Sequence, residues 1–168
     1  MLKRTLLSAA LGLSLVAGAT HAATTDNVQV SVSYGFMSES EAGFDIESDL
    51  AIASVGYRYD IVDTDFTLVP ELSLGTGIGD IEVDNVDTGI DIDRLLILGV
   101  RAEYAATDSL SVFVRPSYAN IDAGDEDDWE FGYGIGLDNT YRNGITIGVA
   151  YDRYDETDML SANLRYQF

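Results

Sequence analysis

The sequence predicts an all-β fold, an eight-stranded antiparallel up-and-down transmembrane β-barrel. Three observations predict it: period-two alternation recurs eight times after residue 22, aromatic residues gather at the strand ends, and tight turns alternate with longer connections. An even strand number is what such a barrel needs to close its first strand on its last.

The first strand carries Val28, Val30, Val32, Tyr34 and Phe36 on its apolar face, with Gln29, Ser31, Ser33 and Gly35 between them. Val55, Tyr57 and Tyr59 make the second, and Phe66, Leu68, Pro70, Leu72 and Leu74 the third. Leu96, Leu98, Val100, Ala102 and Tyr104 follow, then Leu110, Val112, Val114, Pro116 and Tyr118. Trp129, Phe131, Tyr133, Ile135 and Leu137 alternate with an almost unbroken series of glycines. Ile145, Ile147, Val149 and Tyr151 form the seventh strand, and Leu160, Ala162, Leu164, Tyr166 and Phe168 the eighth.

Alternation alone does not say which face is inside, because a soluble ligand-binding barrel shows it too. The rings decide. Tyr57, Tyr59, Phe66, Tyr104, Tyr141, Tyr166 and Phe168 fall at one rim; Tyr34, Phe36, Tyr118, Trp129, Phe131, Tyr133 and Tyr151 fall at the other. Two aromatic girdles on the apolar face suit two lipid–water interfaces. Asp60–Thr64, Ala106–Ser109 and Asn143–Gly144 read as tight turns, and Ser38–Asp49, Gly79–Asp93, Asn120–Asp128 and Asp155–Asp158 as longer external loops. Within the second loop, Ile81 and Val83 face Ile90 and Ile92 across the turn-like Asn85–Gly89, a pattern for a protruding hairpin whose edge is open to β-augmentation.

Met1 to Ala22 reads as a secretory signal: Lys3 and Arg4, an apolar run from Leu6 to Val16, then small residues. The domain organisation is therefore a signal peptide over 1–22 and a barrel over 23–168. The barrel segment holds seven Arg, no Lys, no His and 29 acids, a formal charge of −22. Such a surface repels nucleic acid.

The charges fall into three sets. Arg58, Glu71, Arg101, Glu103, Arg115, Glu130, Asp138, Arg142, Asp152 and Arg165 share the inward parity, five cations against five carboxylates. Confined together they should pair and plug the bore. Nineteen further acids lie in the loops. Hard oxygens at that density suit Ca²⁺ or Mg²⁺, with Asp80, Glu82, Asp84, Asp125 and Asp127 as weak candidates, but no twelve-residue calcium loop is present. A solvated, repulsive surface with no cofactor is the plainer expectation. Arg94 and Arg153 stand on the outward parity near the external rim, where lipopolysaccharide offers phosphates and Asp93 or Asp155 offers a local partner.

The ending Leu160–Phe168, alternating to a terminal aromatic, and the segment Val55-Gly-Tyr-Arg-Tyr59 resemble the small eight-stranded outer-membrane barrels of the OmpA and OmpX type. The resemblance implies localisation in the bacterial outer membrane, among lipid and lipopolysaccharide, and an assembly signal at Tyr166 and Phe168 read by the barrel-assembly machinery. A periplasmic peptidoglycan-binding domain of the full OmpA kind is not expected, since the chain stops at Phe168. Histidine-dependent lipase, deacylase and protease chemistry lacks its base here, because His21 lies in the signal. A monomeric, non-enzymatic barrel is expected, with a role in envelope integrity, adhesion or defence against host factors and an extracellular protein ligand at its loops. The alternative is a narrow pore for small cations or solutes.

Overall fold

Strands that alternate this regularly pair with their sequence neighbours, and in the computed structural model they close on themselves. It describes residues 27–41, 44–78, 80–83, 86–123, 126–155 and 157–168. The signal read over 1–22 lies outside them. Among the described residues, ten strands form one antiparallel sheet: β1 (Val28–Glu41), β2 (Phe44–Tyr57), β3 (Tyr59–Asp60), β4 (Phe66–Gly77), β5 (Asp80–Val83), β6 (Val86–Ala105), β7 (Leu110–Ala123), β8 (Glu126–Thr140), β9 (Ile145–Tyr154) and β10 (Thr157–Gln167). β3 continues β2 and β5 continues β4, so the wall has eight members. It closes through β1 and β10, from Gln29 opposite Gln167 to Glu39 opposite Thr157.

The break between β2 and β3 has a local cause. Gly56 pairs with Glu71 and Tyr59 with Leu68, but the ladder skips the positions opposite Pro70 and Val69. Proline has no N–H to donate. Pro116 leaves the same mark: β6 and β7 pair at Gly99–Ser117 and again at Ala102–Val114, with a gap between. Backbone groups left open in a hydrocarbon-facing wall are costly. Pro116→Val should therefore raise the urea midpoint of the refolded barrel, by about 1 kcal/mol for the bond regained; a lower midpoint would show that the gap is satisfied in another way.

One end of the barrel carries the turns. In the first of them Asp63 adopts a positive φ of 62°, and Thr64 donates to the Ile61 carbonyl. Thr107 accepts from the backbone of Ser109 and Leu110 in the second. Gly144 closes the third at φ 79°, a conformation that costs side-chain-bearing residues but not glycine. The opposite end is built of hairpins. Here the expected loops give way to strand: Glu41 pairs with Phe44, Val83 with Val86, Ala123 with Glu126 and Tyr154 with Thr157. Asn85–Gly89 is accordingly not the turn of the second hairpin; from Val86 onward it is strand β6. That hairpin does protrude as expected, but its β5 flank is covered by β2, through Ile46–Val83 and Glu47–Glu82.

Between its two rims the outward face is apolar. Val32, Leu72, Leu98, Ile135 and Leu164 are all exposed there, with aromatic rings above and below them. A continuous exposed apolar belt is unstable in water and stable in lipid.

Candidate functional site: a lumen closed at two levels

Inward-facing residues of the turn-end half form one connected ionic network. Arg101, 1% exposed, is its centre: its guanidinium lies 2.8 Å from Glu103, 3.1 Å from Glu71 and 3.3 Å from Asp138. It also donates to Gln29 Oε1 at 3.1 Å and sits 5.1 Å over the Phe113 ring. Arg165 reaches Asp138 at 2.9 Å and Glu103 at 3.5 Å. Arg115 holds Asp152 at 2.5 Å and Glu71 at 3.8 Å, and Arg58 approaches Glu103 at 4.0 Å. Four arginines thus meet four carboxylates, drawn from six strands and from Arg58 between β2 and β3. Each carboxylate shared by two guanidiniums offsets desolvation that one pair would not repay.

Of the ten residues expected in this network, eight are in it. Arg142 is not: it lies exposed in the turn between β8 and β9, where parity no longer counts faces. Glu130 is on the inward face, but nearer the hairpin end, beside Ala119.

The alternating glycines of β8 and β9 make room for these side chains. A Cβ on Gly134 would collide with the Asp152 carboxylate, and one on Gly148 with that of Asp138. At the turn-end mouth Asp60 accepts from Arg58 Nε at 2.7 Å and from Thr67 at 2.8 Å. Partial burial raises its carboxyl, but the bonds from Thr67 and Arg58 outweigh this and hold it below the usual carboxylate range.

Above the ions lies a layer the sequence reading missed. Leu50, Ile52, Ile92, Leu95, Ile97, Ala119, Tyr154 and Met159 form a buried apolar cluster, with Met37 and Ile121 packed against it. All point into the lumen towards its hairpin end. Tyr154 is the tyrosine that departs from the outward parity; its hydroxyl meets Ser117 at 3.3 Å. Between this layer and the network, a cavity of about 20 Å³ is lined by Ser31, Ser54, Ser73 and Glu71 among others. That is room for roughly one water molecule.

No family model matches the chain, and no curated protein matches it in sequence. Solved structures do match. Ail, the attachment invasion locus protein of Yersinia pestis, aligns over 85% of this chain and 99% of its own at 15% identity, with a TM-score of 0.56. Neisserial surface protein A aligns over 84% and 97% at 17% identity, TM-score 0.51. The outer membrane enzyme PagL aligns over 83% and 99% at 15% identity, TM-score 0.53. The chain has the fold of the small eight-stranded outer-membrane β-barrels. At these identities the likeness is one of fold.

Aromatic rings stand near both ends of the barrel. Tyr57 packs on Tyr59, Phe66 on Tyr104 and Tyr166 on Phe168 at the turn end, and Tyr118 packs on Phe131 at the hairpin end. Tyr34, Phe36, Trp129, Tyr133, Tyr141 and Tyr151 are exposed alongside. Two phenols anchor rim carboxylates: Tyr34 donates to Asp49 at 2.6 Å and Tyr151 to Asp158 at 2.5 Å. Arg153 joins Asp158 at 3.4 Å, and Arg94 pairs with Asp122 at 3.3 Å while donating to Asn120. Asp122 and Asp158 lie on strands neighbouring those of Arg94 and Arg153. Antiparallel pairing brings Asp158 and Asp122 directly opposite the arginines. Of the weak metal candidates, Asp84 and Asp125 lie outside the described residues. The backbone places Asp80 and Glu82 on β5 and Asp127 on β8.

Proposed function

We propose that the protein is a non-conducting barrel of the bacterial outer membrane, with a structural and surface-interaction role. Its hairpin end faces the cell exterior. The observation that carries this reading is the twice-closed lumen, charged and neutralised in one half and apolar in the other. A pore for small cations requires a continuous wet path, and the apolar layer interrupts one as firmly as the ion pairs do. The acidic extension above the rim then provides the interaction surface, and the likeness to Ail, an attachment protein by name, supports the same reading. The likeness to PagL carries no chemistry across, since neither His nor Cys follows Ala22 to serve as base or nucleophile.

Planar-bilayer recording of the refolded protein tests the proposal. The expected result is a membrane without stable unitary currents, alongside a heat-sensitive gel shift that reports the folded barrel. Large, long-lived openings from material that shows that shift would overturn it.

A further inference from the structure

After Ala22 the sequence holds only two sulfur atoms, in Met37 and Met159, with no cysteine to share their chemistry. The fold brings the two together. Met37 lies directly opposite Met159 where β1 closes on β10, the seam of the barrel. Both point inward, since exposed Tyr34 and Phe36 hold the outward parity of β1, and Met159 belongs to the apolar layer with Met37 packed against it. Their surroundings differ. Met159 is 2% exposed, and a Cβ on Gly35 would stand 3.6 Å from its sulfur. Its cross-strand neighbours are Met37 and Asp152, and the Asp152 carboxylate, held by Arg115, accepts hydrogen bonds and donates none. Met37 is only partly buried, at the margin of the layer towards the hairpin end. The next inward pair above it is polar, with Glu39 accepting from Thr157 at 3.2 Å. On its other side, β2 places Ser48 directly opposite. Ser48 is 4% exposed, yet its hydroxyl has no hydrogen-bond partner among the described residues. A buried hydroxyl in that state is costly, and an acceptor beside it removes the penalty. Side chains paired across strands stand about 5 Å apart at Cβ, so the Met37 sulfur is within reach of that hydroxyl. A thioether is a weak acceptor, whereas its sulfoxide is a polar one.

We infer that Met37 is an oxidation site, the thioether that the barrel presents to peroxides entering at the hairpin end, with Ser48 positioned to hold the oxygen gained. The Met37 sulfur lone pair attacks one peroxide oxygen and the O–O bond breaks. That oxygen stays on sulfur as a sulfoxide, and the other leaves, protonated, as water or an alcohol. Sulfur loses two electrons and the peroxide gains them. A polar product inside an apolar layer disrupts it unless a donor is at hand. Ser48 supplies the donor at Met37; neither cross-strand neighbour supplies one at Met159. Met37 therefore takes up oxidant at the mouth, while the apolar layer and the ion network below it stay closed. The change is reversible, because a sulfoxide reductase restores the thioether.

In the test, the refolded barrel in phosphatidylcholine vesicles is treated with hydrogen peroxide for graded times, then digested and mapped by tandem mass spectrometry. A Ser48→Ala barrel is treated in parallel, and the heat-sensitive gel shift reports that both are folded. The expected result is an oxygen gained by Met37 about tenfold faster than by Met159, with the two reacting alike in the urea-unfolded chain. Oxidation at Met37 should leave the urea midpoint of the parent in place and lower that of Ser48→Ala by about 0.5–1 M. Equal rates in the folded barrel, or faster oxidation of Met159, would overturn the assignment to Met37. An equal fall of both midpoints would overturn the role of Ser48. A folded barrel in which neither methionine reacts would overturn the site outright. None of these results bears on conductance, so the proposed function stands or falls separately.

Discussion

Arg101→Ala should be the most damaging single substitution inside the barrel, lowering the free energy of unfolding by about 3–5 kcal/mol. The reason is the asymmetry of buried charge. As it stands, Arg101 neutralises part of Glu71, Glu103 and Asp138 together, and Gln29 takes up a further N–H. Without it three carboxylates remain in a narrow lumen with only Arg115, Arg165 and distant Arg58 to answer them. Phe113 also loses the cation over its ring. Arg101→Lys keeps the charge but not the planar fork that serves several oxygens at once, so it should recover part of the loss. Urea unfolding in vesicles, followed by the gel shift, measures both. An unchanged midpoint would mean that the network contributes nothing.

The same residues show how far the sequence carries. Arg101 and Glu103 sit two apart on one strand, on the parity opposite Val100, Ala102 and Tyr104, so period two alone placed both in the lumen. The same rule placed Asp138, Asp152 and Arg165. It fails for Arg142, where a turn ends the strand and with it the alternation of faces. It also fails for the apolar layer, for two physical reasons. Leu50 and Ile52 sit among Ala51 and Ala53, so both faces of β2 read as apolar there and no alternation distinguishes them. Ile92 and Leu95 both point inward although three residues apart, because the β6–β7 register shifts between Ile92 and Arg94. Bulges of this kind reverse parity without announcing themselves in composition. Above the rim both faces of the sheet meet water, so the apolar signal vanishes and strands rich in Asp and Glu read as loops.

Gly136 separates the packing account from plain strand propensity, because the two predict opposite signs. Glycine inside a strand is unfavourable, and valine is among the better strand formers, so propensity alone makes Gly136→Val stabilising. The structure makes it strongly destabilising. A Cβ at that position would overlap the Phe113 ring and approach the Val149 carbonyl oxygen to 2.5 Å. One obstacle is a ring held beneath Arg101; the other is backbone of the neighbouring strand, which cannot yield without opening the β8–β9 ladder. The expected loss is about 3 kcal/mol, at the upper end for overpacking. Gly35 provides the internal control, since its nearest neighbours would stand 3.5 Å from an added Cβ. Gly35→Ala should therefore be neutral or slightly stabilising. Adding Phe113→Ala should make Gly136→Ala cost less than it does alone, since the clash with the ring is then removed and only the carbonyl remains. A Gly136→Val barrel as stable as the parent would mean that the lumen is looser than these contacts require, and the case for a sealed bore would weaken with it.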